Sequence, residues 1–150
     1  MKHKIPPPII LLLSGIAAWF VAKSEYAFSV DIPYALVLAV VFAAAGFYVA
    51  GTALRQFNTA ETTVNPLQPS EASTLVDTGI FSRTRNPMYL GLLLVLSGWV
   101  VWLQSAGNLL VMVLFVLYIN ELQIKPEEAA LRKLFGQTYV DYCKRVRRWI

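Results

Sequence analysis

Four long apolar runs constrain the fold of this chain more than any other feature of its sequence. They cover residues 5–22, 32–54, 88–103 and 109–124. A helix needs about 20 residues to cross the hydrocarbon core of a bilayer, and the third run reaches that length only with its uncharged flanks. Each run is continuously apolar rather than alternating, which favours helices over the strands of a membrane barrel. The runs therefore predict an all-α, polytopic membrane protein with four transmembrane helices.

The composition agrees with this interpretation. Of the 150 residues, 57% are hydrophobic and 15% are charged, whereas a soluble domain has about 45–50% apolar and about 25% charged residues. The length fits one domain over residues 1–150. The first run follows Lys2 and Lys4 in the manner of a signal peptide, but it is longer than a usual signal core and no clear cleavage site follows it. We therefore expect it to be kept as a membrane helix.

The positive charges predict the orientation of the helices. Lys23 is the only one of the 13 Lys and Arg residues in the turn between the first two runs, and the turn between the last two runs has none. Positive residues collect on the cytoplasmic side of membrane proteins. We therefore expect both termini, the loop 55–87 and the tail 125–150 to face the cytoplasm, in the inner membrane if the organism is bacterial. Anionic lipid headgroups, not nucleic acid, are the expected partner of the basic tail.

The two cytoplasmic segments differ in pattern. The loop 55–87 has prolines but also enough apolar residues to pack, so we expect an ordered lid or pocket wall. In the tail, Pro126 should end or kink the fourth helix. From Glu127 to Trp149 a three- and four-residue apolar spacing predicts one amphipathic cytoplasmic helix. Its opposite face would carry the basic residues Arg132, Lys133, Lys144, Arg145, Arg147 and Arg148.

Polar groups beside a membrane are costly, which makes them the first candidates for function. Glu127 and Glu128 repel each other unless a cationic ligand or Arg85 satisfies them. A structural alternative is that both carboxylates cap the N-terminus of the tail helix. Arg85 equally suits an interface arginine and Tyr89 an aromatic belt. Taken singly, these residues do not decide between a site and a membrane boundary.

The order of the polar and apolar motifs is more specific than any one residue. Along the chain it reads LV at 75–76, Gly79, Phe81, RNPMYLG at 85–91, EE at 127–128, Leu131, FG at 135–136, Tyr139 and Tyr142. This order resembles that of the integral membrane methyltransferases related to isoprenylcysteine carboxyl methyltransferase and the phospholipid N-methyltransferases. The resemblance covers roughly residues 62–150, and the first two runs match only in being apolar.

The resemblance implies an enzyme that uses S-adenosylmethionine, bound at the cytoplasmic ends of the helices. Arg85 would orient the cofactor carboxylate or the acceptor, and Glu128 would bind a polar part of the cofactor, as the two catalytic candidates. The implied cofactor-binding residues are Leu75, Val76, Gly79, Phe81, Asn86, Pro87, Tyr89, Gly91, Glu127 and Glu128. The acceptor would be a lipid-like or amphipathic small molecule, methylated on oxygen, nitrogen or sulfur. Such a transfer requires no metal, and the oligomeric state stays open.

Two departures from the family pattern concern the acceptor. Asn86 stands where the family usually has a histidine, so a titratable base is missing at that position. An arginine often found shortly before the paired glutamates is also missing, and Gln123 and Lys125 lie there instead. Two other functions remain open: a non-enzymatic membrane scaffold with a structural ion network, and a sterol-reductase-like enzyme that uses NADPH, although such reductases are much longer.

Overall fold

The computed structural model describes residues 5–59 and 74–150. Within these ranges the regular structure is helical, apart from an isolated bridge that joins Ser29 to Ser105. The α-helices are α1 (Pro7–Lys23), α2 (Ala35–Thr59), α3 (Pro87–Leu103), α4 (Asn108–Tyr118), α5 (Lys125–Phe135) and α6 (Gln137–Arg145), with a 3-10 turn at Gly79–Ser82 and a π-helical segment at Ile119–Ile124. Residues 60–73 of the predicted lid lie outside the described residues.

The helices follow the four apolar runs. By length and composition, two described helical stretches could each cross a membrane: Ala35–Thr59 and Asn108–Phe135. Two further apolar helices, Pro7–Lys23 and Pro87–Leu103, are shorter. The predicted all-helical fold is confirmed for the described residues, while the arrangement with four membrane crossings stays a prediction.

Helices α2 and α3 approach each other closely at glycines. A Cβ atom added to Gly46 would lie 2.6 Å from the carbonyl oxygen of Gly91, and one added to Gly91 would lie 2.7 Å from that of Gly46. Gly98 meets the carbonyl oxygen of Ala39 in the same way, at 2.7 Å. Small residues at such positions let two helix backbones touch. The space beside Gly91 is therefore filled by α2.

Pro126 does not end the fourth helix, so that part of the prediction is wrong. The chain stays helical from Asn108 to Phe135, and the π-helical segment comes immediately before the proline. The amide of Lys125 reaches the carbonyl of Asn120, five residues back. This wider turn changes the hydrogen-bond register just before the residue that has no amide hydrogen. The helix therefore passes Pro126 without ending there.

The tail forms two helices, so the prediction of one amphipathic helix over 127–149 is also wrong. α5 ends at Phe135 and is followed by Gly136, which has φ +54°, a conformation that residues with a Cβ rarely adopt. α6 then ends at Arg145, and Val146 is extended. The predicted apolar residues still come together, because Tyr139, Tyr142 and Val146 form a buried cluster that Leu75, Leu131, Phe135 and Cys143 pack against.

Candidate functional site

The segment 146–150, here called the returning segment, runs alongside the residues that precede α3. The amide of Arg85 donates to the carbonyl of Arg147 at 3.0 Å. The carbonyl of Arg148 accepts from the side-chain amide of Asn86 at 2.9 Å and from the Thr84 hydroxyl at 3.3 Å. The returning segment is not helical, so its carbonyls are not used in a helix and can accept these bonds. Residues far apart in sequence are thus tied together at the start of α3.

Glu128 lies between two arginines. Its Oε1 atom is 3.1 Å from Arg85 Nη2. Arg148 binds it with two nitrogens, Nε to Oε1 at 3.0 Å and Nη2 to Oε2 at 2.6 Å. The side chains of Arg85 and Glu128 are only 13% and 18% exposed, and the hydrogen bonds to Glu128 raise the pKa of Arg148. Such charge-assisted, two-pronged contacts are among the strongest hydrogen bonds in proteins.

Glu127 makes a separate contact with α3. The Tyr89 hydroxyl donates to Glu127 Oε1 at 2.6 Å, and the Tyr89 side chain is buried. Glu127 and Glu128 thus face different partners although they are adjacent in the chain. The capping interpretation is not supported, because α5 continues from the π-helical segment and its first turn is not a free helix N-terminus. Glu128 pairs with arginines, and Glu127 accepts a hydrogen bond from a neutral tyrosine.

One donor of Arg85 has no partner among the described residues. Its Nε atom is buried and makes no hydrogen bond to any described residue. A buried donor left unsatisfied costs about 1–3 kcal/mol. The arginine that pairs with Glu128 therefore keeps the capacity to bind one more acceptor.

An apolar wall adjoins this ion network. Phe81 is buried on the 3-10 turn, its carbonyl accepts from the Tyr142 hydroxyl at 2.7 Å, and its ring packs edge-to-face on Phe57 at 5.0 Å. Burial raises the pKa of both Tyr139 and Tyr142. Tyr139 also interacts electrostatically with Glu128 and Arg85. The apolar cluster and the charges therefore form one continuous region.

The predicted site residues fall into two groups. Direct polar contacts join Arg85 to Glu128 and Tyr89 to Glu127, and Asn86 donates to the backbone of Arg148, which also binds Glu128. The others are apolar or backbone positions around them: Leu75 and Phe81 in the wall, Val76 partly exposed, Pro87 buried at the start of α3, Gly79 and Gly91. Gly79 has φ +56°, and a Cβ there would collide with the side-chain amide of Gln56. Gly79 and Gly91 thus have packing reasons to be glycine.

The sequence pattern does not predict the returning segment. The prediction that Arg148 lies on the basic face opposite the apolar face of one tail helix is wrong, because the side chain is 33% exposed and holds Glu128. The indole of Trp149 donates to the Asn120 side chain at 3.1 Å, and its ring packs against the buried hydrophobic cluster that includes Ile119 and Ile124. The signal that could have found this segment is the tryptophan that follows the basic run. Among the described residues, no group of three or more His, Cys, Asp or Glu could hold a metal.

Comparisons with known proteins cover most of these elements. A family model described as phospholipid methyltransferase matches residues 34–138. An uncharacterized protein from Haemophilus influenzae is 44% identical over 63 residues, which are 42% of this chain and 100% of that protein. No solved structure matches the chain. The family match includes α2, α3, α4 and both glutamates, and it ends before the returning segment.

Proposed function

Because this chain belongs to the phospholipid methyltransferase family, we propose that it transfers a methyl group from S-adenosylmethionine to a lipid-like or amphipathic acceptor. Membership in that family makes it a membrane methyltransferase. The observation that carries the finer proposal is the junction of Arg85 with Glu128, a nearly buried ion pair between the start of α3 and α5 that retains an unsatisfied donor.

The charged residues fit the amino-acid end of this cofactor, which has a carboxylate and an ammonium group. The unpartnered Arg85 Nε suits a carboxylate, because a guanidinium presents several donors in a fixed plane. A carboxylate oxygen can accept two hydrogen bonds. Glu128 Oε2 accepts one, from Arg148, so it has room for an ammonium donor. The neighbouring side chains of Phe81, Tyr139 and Tyr142 would supply the apolar surface for the adenosyl part.

When bound, S-adenosylmethionine supplies an electrophilic methyl group carried on a positively charged sulfur. The residues of the chain would contribute mainly by positioning, which can account for much of the acceleration of such a transfer. Arg85 and Glu128 would hold the two ends of the amino-acid group. Tyr89 fixes Glu127 by donating a hydrogen bond to it, and the buried tyrosine cluster would keep water out.

Asn86 has no titratable group, so it cannot take a proton from the acceptor. Its side-chain amide instead donates to the carbonyl of Arg148. In this proposal Asn86 therefore has a structural role in the pocket and is not a base. Asn86 does not determine whether the acceptor atom is oxygen, nitrogen or sulfur.

The membrane arrangement belongs to the same proposal. Four helices would cross the bilayer with both termini in the cytoplasm, as the positions of Lys and Arg indicate. The site would then lie at the cytoplasmic ends of the helices, in the inner membrane if the organism is bacterial. A lipid-like acceptor could reach it from the bilayer without passing through water.

Ligand binding tests this function. We expect the detergent-purified protein to bind S-adenosylhomocysteine in calorimetry and to transfer a labelled methyl group from S-adenosylmethionine into a total lipid extract. Glu128→Ala should weaken binding about 100-fold and Tyr89→Phe about 5-fold, since Glu128 would contact the cofactor directly whereas the Tyr89 hydroxyl acts through Glu127. Glu121→Ala is the matched control, because Glu121 is exposed and pairs with Lys125 on the helix surface.

One alternative has a specific observation in its favour. The described partners of Glu128 are both protein arginines, which is also what a structural ion network in a membrane scaffold would show. A scaffold would bind neither S-adenosylhomocysteine nor NADPH, and a reductase-like enzyme would bind NADPH alone. Wild-type protein that gives no heat with S-adenosylhomocysteine would contradict the methyltransferase proposal.

A further inference from the structure

Arg148 contacts both carboxylate oxygens of Glu128. Its Nε and Nη2 atoms contact the two carboxylate oxygens at 3.0 and 2.6 Å. Because the guanidinium is planar and rigid, two parallel contacts fix the plane of the carboxylate. Arg85 reaches only Oε1, at 3.1 Å. Without Arg148, the carboxylate could rotate about this single contact.

The backbone of Arg148 is itself held from two sides. Its carbonyl accepts from Thr84 and Asn86 before α3. The next residue, Trp149, donates from its indole to Asn120 in the π-helical segment. The guanidinium is therefore presented from an anchored backbone and not from a free tail. Groups held in place in this way lose less entropy when they act on a ligand.

We propose that Arg148 is a positioning residue for the cofactor. It holds Glu128 in the orientation in which Oε2 accepts the ammonium group, and it acts through that carboxylate. This inference rests on the proposed function and extends the site to the returning segment, which lies beyond residues 34–138 of the family match.

The hydrogen-bond capacity of Glu128 supports this assignment. Its Oε1 atom is already used twice, by Arg85 and by Arg148 Nε. Its Oε2 atom accepts only from Arg148 Nη2 among the described residues. Since each carboxylate oxygen offers two lone pairs, the arrangement directs a further donor to Oε2. Arg148 thereby selects which oxygen faces the ligand.

The neighbouring Arg147 provides a matched control. Its side chain is exposed, and its described site contact is the backbone carbonyl that accepts from Arg85. Arg147→Ala removes the same charge from the same segment and keeps that carbonyl. We expect Arg148→Ala to raise the Kd for S-adenosylhomocysteine about 10- to 100-fold. Arg147→Ala should change it less than about twofold, as surface charges usually do.

Two further variants separate positioning from folding. Arg148→Lys keeps the charge but loses the planar fork, so we expect it to fold and to restore only part of the binding. In a Glu128→Gln background, Arg148→Ala should weaken binding by less than about an additional twofold, because it acts through Glu128. In kinetics with a total lipid extract, Arg148→Ala should raise the KM for S-adenosylmethionine and leave the KM for the extract unchanged.

The outcomes distinguish this inference from the proposed function. If the wild type binds S-adenosylhomocysteine and folded Arg148→Ala and Arg148→Lys bind equally well, the positioning role is wrong and the proposed function stands. Full, independent effects of Arg148→Ala and Glu128→Gln in the double variant would also overturn it. Should the wild type itself not bind, both the proposed function and the positioning role are wrong.

Discussion

The helix pair α2–α3 and the junction around Glu128 are held together by opposite means. The pair relies on the absence of side chains, since Gly46 and Gly91 let the two backbones touch. The junction relies on side chains with fixed geometry, in which Arg85 and Arg148 share one carboxylate. Backbone contact tolerates almost no added volume, whereas a hydrogen-bonded network depends on the chemistry of each member. The two regions should therefore respond differently to substitution.

The largest effect is expected at the helix pair. Gly46→Val would place a side chain against the carbonyl of Gly91, which a Cβ meets at 2.6 Å, and against Val95. The helices would have to separate, which should cost about 3 kcal/mol of unfolding free energy. Thermal unfolding in detergent measures this as a lower Tm.

Gly51→Val is the matched control for that substitution. Gly51 lies on the same helix, and no atom lies within 4 Å of a Cβ added there. The two variants change helix propensity equally, so their difference reports only the contact with α3. Equal losses of Tm in both variants would show that the close approach at Gly46 does not hold the pair together.

The same contrast explains how much could be predicted from the sequence. The apolar runs are local patterns, and the helical fold that they predict is confirmed for the described residues. The family resemblance is confirmed as well. It could be predicted because it depends only on the order of motif residues along the chain. The contact partners of those residues could not be predicted in this way, because the pairs Tyr89–Glu127 and Arg148–Glu128 join distant segments of the chain. Nothing in the periodicity of the tail indicates that Arg148 turns back to Glu128.

The tail departs from the predicted single helix at two positions. The helical periodicity of the sequence continues across Gly136 and Val146, but the backbone is not helical at either residue. Gly136 follows Phe135 at a position where a glycine often ends a helix, so that break was predictable. The extended conformation at Val146 was not, because it depends on contacts that the returning segment makes with residues before α3.

A smaller effect is expected for the tyrosine beside the junction. Tyr142→Phe removes the hydrogen bond to the buried carbonyl of Phe81 and should cost about 1 kcal/mol at neutral pH. Burial raises the pKa of Tyr142 above its ordinary value of 10.0. As the pH rises, this hydroxyl therefore ionises at a lower pH in the unfolded chain than in the folded protein. Its contribution to stability is complete below pH 10 and is lost progressively above that pH.

Thermal unfolding of the wild type and Tyr142→Phe between pH 8 and about 11 measures this contribution. Because other groups titrate equally in both proteins, the difference between them isolates Tyr142. We expect that difference to shrink as the pH rises above 10. A difference that stays constant, or grows, would contradict the buried, protonated state of this hydroxyl.

The smallest effect is expected for the ion pair between Arg145 and Asp77, which is more exposed than the ion pairs of Glu128. Arg145 Nη2 lies 2.9 Å from Asp77 Oδ2, and the two side chains are 64% and 34% exposed. Solvent and salt screen such a pair, so Arg145→Ala should change the unfolding free energy by less than about 0.5 kcal/mol, and 1 M NaCl should remove that change. A loss as large as that of Tyr142→Phe would mean that this surface pair, and not only the buried contacts, holds α6 against the residues before the 3-10 turn.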